Sequence, residues 1–307
     1  MSAAGLPIID LSAGPPAAAA ARIDAALRDT GFYAVTGHGV PQAVTDAAFD
    51  ASHRFFALAE ATKRRWHVDL SGKQRGFDPI GWQALDPARP PDLKESFYLG
   101  VEAFAPNAWP DEALVPGFQA AMRAYQAAMD GLAKRLMGVY ELALGLPAGH
   151  FDAFMRQPLC TTRLLHYPPQ PREGEGGAAP GQIGCGAHTD WGALTLLLQD
   201  EAGGLQVQRR DGRWIDVPPV PGAFVVNVGD LMQRWTNDRW LSNPHRVVNR
   251  LSGRDRWSIA YFFDLDGDAT IVPLAPCTSA ANPPRYGPIT PAAHLAEMYR
   301  RTTVAAG

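Results

Sequence analysis

His188-Thr189-Asp190 precedes a β-type run, and residues two apart in an extended chain project to the same side, so the imidazole and the carboxylate can converge on one point. A third donor has to come from elsewhere in the chain. His245 follows Pro244 and heads the run HRVVNRL, and a second strand of one small barrel can bring it opposite the first pair. Two histidines and one carboxylate on a single face of a metal leave the other coordination positions open, the arrangement that iron(II) uses for O2 chemistry. Zinc binds such a set as well. The plainer alternative is structural: His188 bonds a backbone carbonyl and Asp190 caps a turn.

A second pair of residues suits an anion. In RWSIAYFF the period of two places Arg256, Ser258, Ala260 and Phe262 on one face and Trp257, Ile259, Tyr261 and Phe263 on the other. An arginine turned into a β-barrel is costly unless it meets a carboxylate. A dicarboxylate cosubstrate would provide one, with the guanidinium fork and the Ser258 hydroxyl taking its two oxygens. The alternative for a lone RxS is an outward, solvated arginine.

Such residues need a frame. From Thr161 onward the chain breaks into short apolar runs separated by turn residues: RLLHY, ALTLLLQ, GLQVQ, RWIDV, GAFVVNV, HRVVNRL and RWSIAYFF, which together read as an antiparallel sandwich or barrel. Asp211-Gly212 marks a hairpin turn between GLQVQRR and RWIDV. Before this region, LPIIDLS is extended and Pro15-Pro16 opens a first helix that Gly31 stops. Phe32 to Val35 suits a strand, and a second helix is expected over the stretch ending FFALAEATKRRW. Between Pro116 and Gly145, Phe118, Met122, Tyr125, Met129, Leu132, Leu136 and Tyr140 recur at spacings of three and four, the buried stripe of a long helix. Pro169 to Gly186, rich in Gly, Pro and charge, reads as a mobile loop beside His188, and PAAHLAEMYRRT as a last helix.

The totals bound the function. The chain has 307 residues, 46% of them hydrophobic, enough for a substantial core. A net charge of -3 and a pI near 6.2 do not favour nucleic acid or an anionic membrane, so the expected partner is a small molecule. No stretch is apolar and long enough to span a bilayer, and the N-terminus lacks the basic, apolar pattern of a secretory signal. Cys160, Cys185 and Cys277 form no paired framework, which suits a reducing, cytoplasmic location. The oligomeric state is left open.

Taken in order, these segments carry a resemblance. LPIIDLS (6–12), GFYAVTGHGVP (31–41), FFALAEATKRRW (55–66), RGFDPIGW (75–82) and DLKESFYLG (92–100) are followed by HTDWGALTLLLQD (188–200), the stretch 203–237, SNPHRVVN (242–249) and RWSIAYFF (256–263). The sequence resembles the isopenicillin N synthase-like branch of the 2-oxoglutarate and iron(II)-dependent dioxygenases over almost its whole length. The resemblance implies a mainly β fold with flanking helices, its double-stranded β-helix (jelly roll, cupin-like) core buttressed by N-terminal helices and a C-terminal helix. It implies an N-terminal region over 1–155, a catalytic core over 156–270 and a C-terminal extension over 271–307, forming one compact unit. It further implies that His188, Asp190 and His245 ligate Fe(II), that Arg256 and Ser258 bind the C5 carboxylate of 2-oxoglutarate, and that Tyr167 helps to hold the cosubstrate or contacts substrate. O2 is then the oxidant, ascorbate supports turnover in vitro, and decarboxylation of 2-oxoglutarate to succinate and CO2 drives hydroxylation, desaturation or cyclisation of a small organic substrate. Plant members usually carry an asparagine where this chain reads LLHY, so contacts of that asparagine do not transfer. Two alternatives share the fold: an Fe(II) oxidase that uses no 2-oxoglutarate, and a non-catalytic small-molecule-binding jelly roll.

Other polar residues have structural readings. His38 is expected as loop architecture, and Asp230 with Asn237 as stabilisers of the turn before His245. Arg75 and Lys94 read as surface charges that alternatively meet a substrate carboxylate, Phe263 and Trp82 as pocket or core aromatics, and Cys185 as a thiol open to oxidation beside the metal.

Overall fold

The computed structural model describes residues 5–71, 74–86, 88–169, 179, 181–248 and 253–302. Among them the short apolar runs become β1 (Ile8–Asp10), β2 (Phe32–Thr36), β3 (Gly76–Asp78), β4 (Glu95–Gly100), β5 (Pro158–Tyr167), β6 (Cys185–His188), β7 (Leu194–Gln199), β8 (Leu205–Gln208), β9 (Trp214–Asp216), β10 (Phe224–Val228), β11 (His245–Val247) and β12 (Arg256–Asp266). The helices are α1 (Pro16–Asp29), α2 (Gln42–Phe56), α3 (Glu60–Lys63), α4 (Val68–Ser71), α5 (Phe118–Leu144), α6 (Asp230–Trp235) and α7 (Pro291–Thr302).

Eight strands form one sheet in the order β1-β2-β10-β7-β12-β5-β4-β3, and four form a second in the order β6-β11-β8-β9. All pairings are antiparallel except β1 with β2. The two sheets face each other across a cavity to which both contribute side chains, the jelly-roll core flanked by helices. Strands of the first hundred residues lie at both ends of the large sheet, so the N-terminal region is part of the wall of the barrel.

Alternation along β12 decides which residues enter that cavity. Arg256, Ser258, Ala260 and Phe262 line it, whereas Ile259, Tyr261 and Phe263 join the main apolar core with α5. Phe263, expected as a pocket or core aromatic, is therefore core, and Phe262 takes the pocket position. Trp82 is half-exposed and packs on the His67 ring at 4.6 Å, lining neither cavity that holds His188 and Asp190.

Helix α5 buries the whole stripe from Phe118 to Tyr140 against α1, α2 and the back of the large sheet. Its Tyr140 hydroxyl meets that of Tyr33 on β2 at 3.0 Å, so the buried polar ends satisfy each other. The expected single helix through Trp66 ends at Phe56 and resumes as α3 and a 3-10 turn over Arg64–Trp66. The break lets Trp66 fold back on the Phe55 ring and lets Lys63 reach the buried Glu95 on β4. Asp211-Gly212 forms the tip of the β8–β9 hairpin, with Gly212 at φ 83°. Within the run HRVVNRL, His245–Val247 is a strand and residues 249–251 lie outside the described residues, as does most of the Gly- and Pro-rich stretch, 170–178 and 180. No helix among the described residues is long and apolar enough to cross a membrane.

Leu136, fully buried in the α5 stripe, reports on this buttress. Leu136→Ala should lower unfolding stability by about 2–5 kcal/mol, read as a lower urea midpoint at unchanged m value; a shift below about 1 kcal/mol would show that α5 is not a structural part of the core.

Candidate active site

His188 and His245 face each other directly in the β6–β11 register, and their rings stand 4.3 Å apart. Asp190, two residues beyond His188, projects to the same side. Its Oδ1 lies 3.6 Å from His245 Nε2 and 4.0 Å from His188 Nε2. Among the described residues this is the one cluster of three or more His, Cys, Asp or Glu donors, all within 4.8 Å of one another.

The remaining polar atoms of the three side chains are already engaged. His188 Nδ1 donates to the Gly186 carbonyl at 2.8 Å and His245 Nδ1 to the Asn243 carbonyl at 3.4 Å, which fixes both rings with Nε2 turned inward. Asp190 Oδ2 accepts from the Thr195 hydroxyl at 2.6 Å and the Asn227 amide at 2.7 Å, leaving Oδ1 for the centre. What remains is two imidazole nitrogens and one carboxylate oxygen aimed at one point, a set that fits a divalent iron.

The charge states agree. Burial, with the neighbouring His188 ring, pushes His245 down to about 4, and burial likewise lowers His188, so both rings are neutral and carry free lone pairs at neutral pH. For Asp190 burial alone opposes ionisation, but His245, His188 and the bonds from Asn227 and Thr195 together outweigh it and hold the carboxyl below its usual range.

Backbone and neighbours lock this cluster in place. The Gly186 amide donates to Asp92 Oδ1 at 2.8 Å, and Asp92 is in turn paired with Lys94; both are buried. Lys94, expected as a surface charge, is thus an internal one that steadies the strand of His188. A Cβ on Gly186 would come within 2.8 Å of Asp86, so no side chain fits there. Asp230 accepts from the Thr189 hydroxyl and hydrogen-bonds Ser242, tying the first two donors to the approach of the third, as expected. Asn237 does not join it: it bonds the Cys277 and Pro283 carbonyls and anchors the C-terminal extension. His38 bonds the Gly222 carbonyl at 2.8 Å, a loop role. Arg75 packs over Gly100 and lines neither cavity. Cys185 Sγ stands 3.9 Å from His188 Nδ1, in a buried setting that raises its thiol to about 11.

Arg256 points inward at 1% exposure, in the same cavity as the three donors. Its Nε donates to the Gly203 carbonyl at 2.7 Å, Nη1 to the Ser258 hydroxyl at 3.1 Å, and its guanidinium stands 4.8 Å over the Tyr167 ring. No carboxylate among the described residues pairs with it. A buried guanidinium so placed fits the distal carboxylate of a bound dicarboxylate. Burial raises the Tyr167 hydroxyl, which stays protonated.

Sequence reasoning missed Thr195, Asn227, Arg163 and Asp264. The first two were visible as lone polar residues in the apolar runs LTLLLQ and FVVNV. Arg163 shares the alternation of Tyr167, and Asp264 that of Arg256.

The chain is similar to known proteins. The 2OG-Fe(II) oxygenase superfamily matches residues 158–265, and the N-terminal region of the non-haem dioxygenases in morphine synthesis matches 6–112. The 2-oxoglutarate-Fe(II) type oxidoreductase hxnY of Emericella nidulans is 40% identical across 92% of this chain and 86% of its own. Homoarginine-6-hydroxylase of Glycine max is 33% identical across 85% of this chain and 82% of its own. A full-length Neurospora crassa protein crystallised in complex with alpha-KG and thymine superposes with a TM-score of 0.88 at 30% identity, covering 96% of this chain and 97% of that one. With the donors, the buried arginine and the sheets arranged as described, the chain belongs to the 2OG-Fe(II) oxygenase superfamily.

Proposed function

We propose that His188, Asp190 and His245 hold the Fe(II) and that Arg256 and Ser258, over the Tyr167 ring, hold the far carboxylate of 2-oxoglutarate, within the isopenicillin N synthase-like branch. The enzyme is a 2-oxoglutarate- and Fe(II)-dependent oxygenase. With both bound, the site couples oxidative decarboxylation of 2-oxoglutarate to succinate and CO2 with oxidation of a second substrate. The observation that carries the residue assignment is the inward set of Nε2, Oδ1 and Nε2, whose other polar atoms are already bonded.

The chain's own residues bind, orient and keep dry. Thr195 and Asn227 hold Asp190 to a single free oxygen, and the Gly186 and Asn243 carbonyls hold the two rings. Arg256, pinned by Gly203 and Ser258, sets the distance at which a dicarboxylate can span from the arginine to the three donors. Leu165, Leu197, Leu205 and Val247 surround that span with apolar surface, which strengthens the ion pair and excludes water from the reacting end.

The second substrate is a small organic molecule. A chamber beside the triad, lined in part by Tyr98, Thr161, Arg163, Phe262 and Asp264, lies next to His188 and Asp190 and suits such a ligand. Two similar proteins bind or are named for small molecules, thymine in the Neurospora structure and homoarginine by the name of the soybean enzyme. Three buried, free thiols favour a cytoplasmic location.

Succinate release tests the cosubstrate. His245→Ala should bind less than about a tenth of the iron of the wild type and give no succinate, with folding checked by Tm; a normal iron content would remove His245 from the set. Arg256→Ala should keep its iron and raise the apparent KM for 2-oxoglutarate about ten- to a hundredfold, the loss of a charged hydrogen-bond donor. An unchanged KM would take Arg256 out of the cosubstrate site.

A further inference from the structure

The face of β12 that begins with Arg256 and Ser258 continues at the same period through Ala260 and Phe262 to Asp264. Arg256 and Ser258 line the cavity of the cosubstrate, Phe262 lines that cavity and the chamber beside it, and Asp264 lines the chamber alone. One strand thus runs from the cosubstrate end to the substrate end, with His188 and Asp190 bordering both.

Asp264 is out of balance with its surroundings. It is 6% exposed, and its Oδ1 has no hydrogen-bond partner. The one basic side chain among the described residues lining the chamber, besides His188, is Arg163, and its charge is already met by Asp78 at 3.1 Å. Burial accordingly pushes the Asp264 carboxyl up to about 7, against the single backbone hydrogen bond from Ala193 that favours its ionised form. The packing nonetheless makes room for it: a Cβ on Gly192 would lie 1.6 Å from Oδ1, and Gly192 immediately follows the loop of His188 and Asp190. A buried carboxyl with one oxygen unbonded is costly, and it persists where something outside the chain completes it.

We infer that Asp264 selects the second substrate by accepting a hydrogen bond from a nitrogen-bound hydrogen, so that the substrate is a small nitrogen compound presenting an amine or a ring N–H. This rests on the reading of the triad and of Arg256 given above. A protonated amine supplies both the hydrogen bond and the missing positive charge, and a ring N–H supplies the hydrogen bond. A carboxylic acid with no donor would set a second anion against Asp264. Asp264 lies outside the cavity of the cosubstrate residues and acts on which molecule is held beside the iron.

The test uses the full-length, Fe(II)-loaded enzyme with matched probes: uracil and 1,3-dimethyluracil, indole and 1-methylindole, benzylamine and phenylacetate. Binding of Fe(II) and 2-oxoglutarate by the wild type, measured by equilibrium dialysis, examines the underlying reading; its absence would remove that reading and is separate from the probe comparison, whose background is the succinate formed from 2-oxoglutarate alone. Stimulation of succinate above this background is expected from N–H members and not from their methylated or donor-free counterparts. In Asp264→Ala the apparent affinity for each stimulating probe should fall about ten- to a hundredfold. Asp264→Asn, which keeps an acceptor oxygen, should recover part of the loss for the neutral probes and not for benzylamine. Iron content and Tm of both variants establish that they fold. The inference is overturned by equal stimulation from the methylated twins, by stimulation from phenylacetate alone, by a panel in which no N–H probe stimulates, or by unchanged affinity in Asp264→Ala.

Discussion

The structure depends on a carboxylate placed where two sheets meet. Asp190 leaves the small sheet just beyond β6, yet its Oδ2 is held by Thr195 on β7 and Asn227 on β10 of the large sheet. A buried carboxylate without such bonds would take up a proton or expel its strand; with them it is ionised and its second oxygen has one direction left to face. The same bonds therefore join the sheets and shape the donor set. Removing either partner would disturb packing and chemistry together, which is a physical reason for polar residues inside otherwise apolar strands.

Close approach of backbone is the second constraint. The loop after Asp190 is pressed between β12 and the start of α6: Gly192 lies against the Asp264 carboxyl, and a Cβ on Gly229 would meet the Gly192 carbonyl at 2.4 Å. Upstream, Gly186 is held against Asp86 and Asp92, and Asp92, paired with the buried Lys94, accepts its amide. The strand of His188 is thereby clamped from the N-terminal part of the chain. β2 adds to this, pairing with β10 and bringing the Phe32 ring edge-on to His245 at 5.3 Å. The N-terminal region is a wall of the site in the mechanical sense: it supplies rigidity to donors it does not itself contribute.

Polar groups on the outer face of the large sheet follow a different logic. Lys63, Glu95 and His166 form a buried chain between α3, β4 and β5 that reaches Asp255 at the surface, with the His166 ring stacked on Trp257 at 3.9 Å. Every member has a partner, so they hold the helical layer to the sheet and fix where β12 begins. Since β12 begins with Arg256, this outer network and the inner cavity are registered by the same strand.

Much of this was legible in the sequence because two periods suffice to read it. The period of two put Arg256 and Ser258 on one face of β12, and the period near 3.6 exposed the α5 stripe; both follow from backbone geometry that no tertiary contact alters. The types and order of His188, Asp190 and His245 were likewise fixed by the chain. Other features needed the fold. That Lys94 is internal depends on Asp92 and Gly186 meeting across ninety-odd residues, and that one oxygen of Asp264 lacks a partner depends on which side chains surround it in space. Local sequence encodes which face a residue takes, whereas burial, pairing and the remaining unpaired atom are set by what distant segments bring to that face. The sequence by itself determined the three donor side chains and the strands that carry them; the tertiary structure decided which of their atoms stay free, because only long-range hydrogen bonds use up the rest.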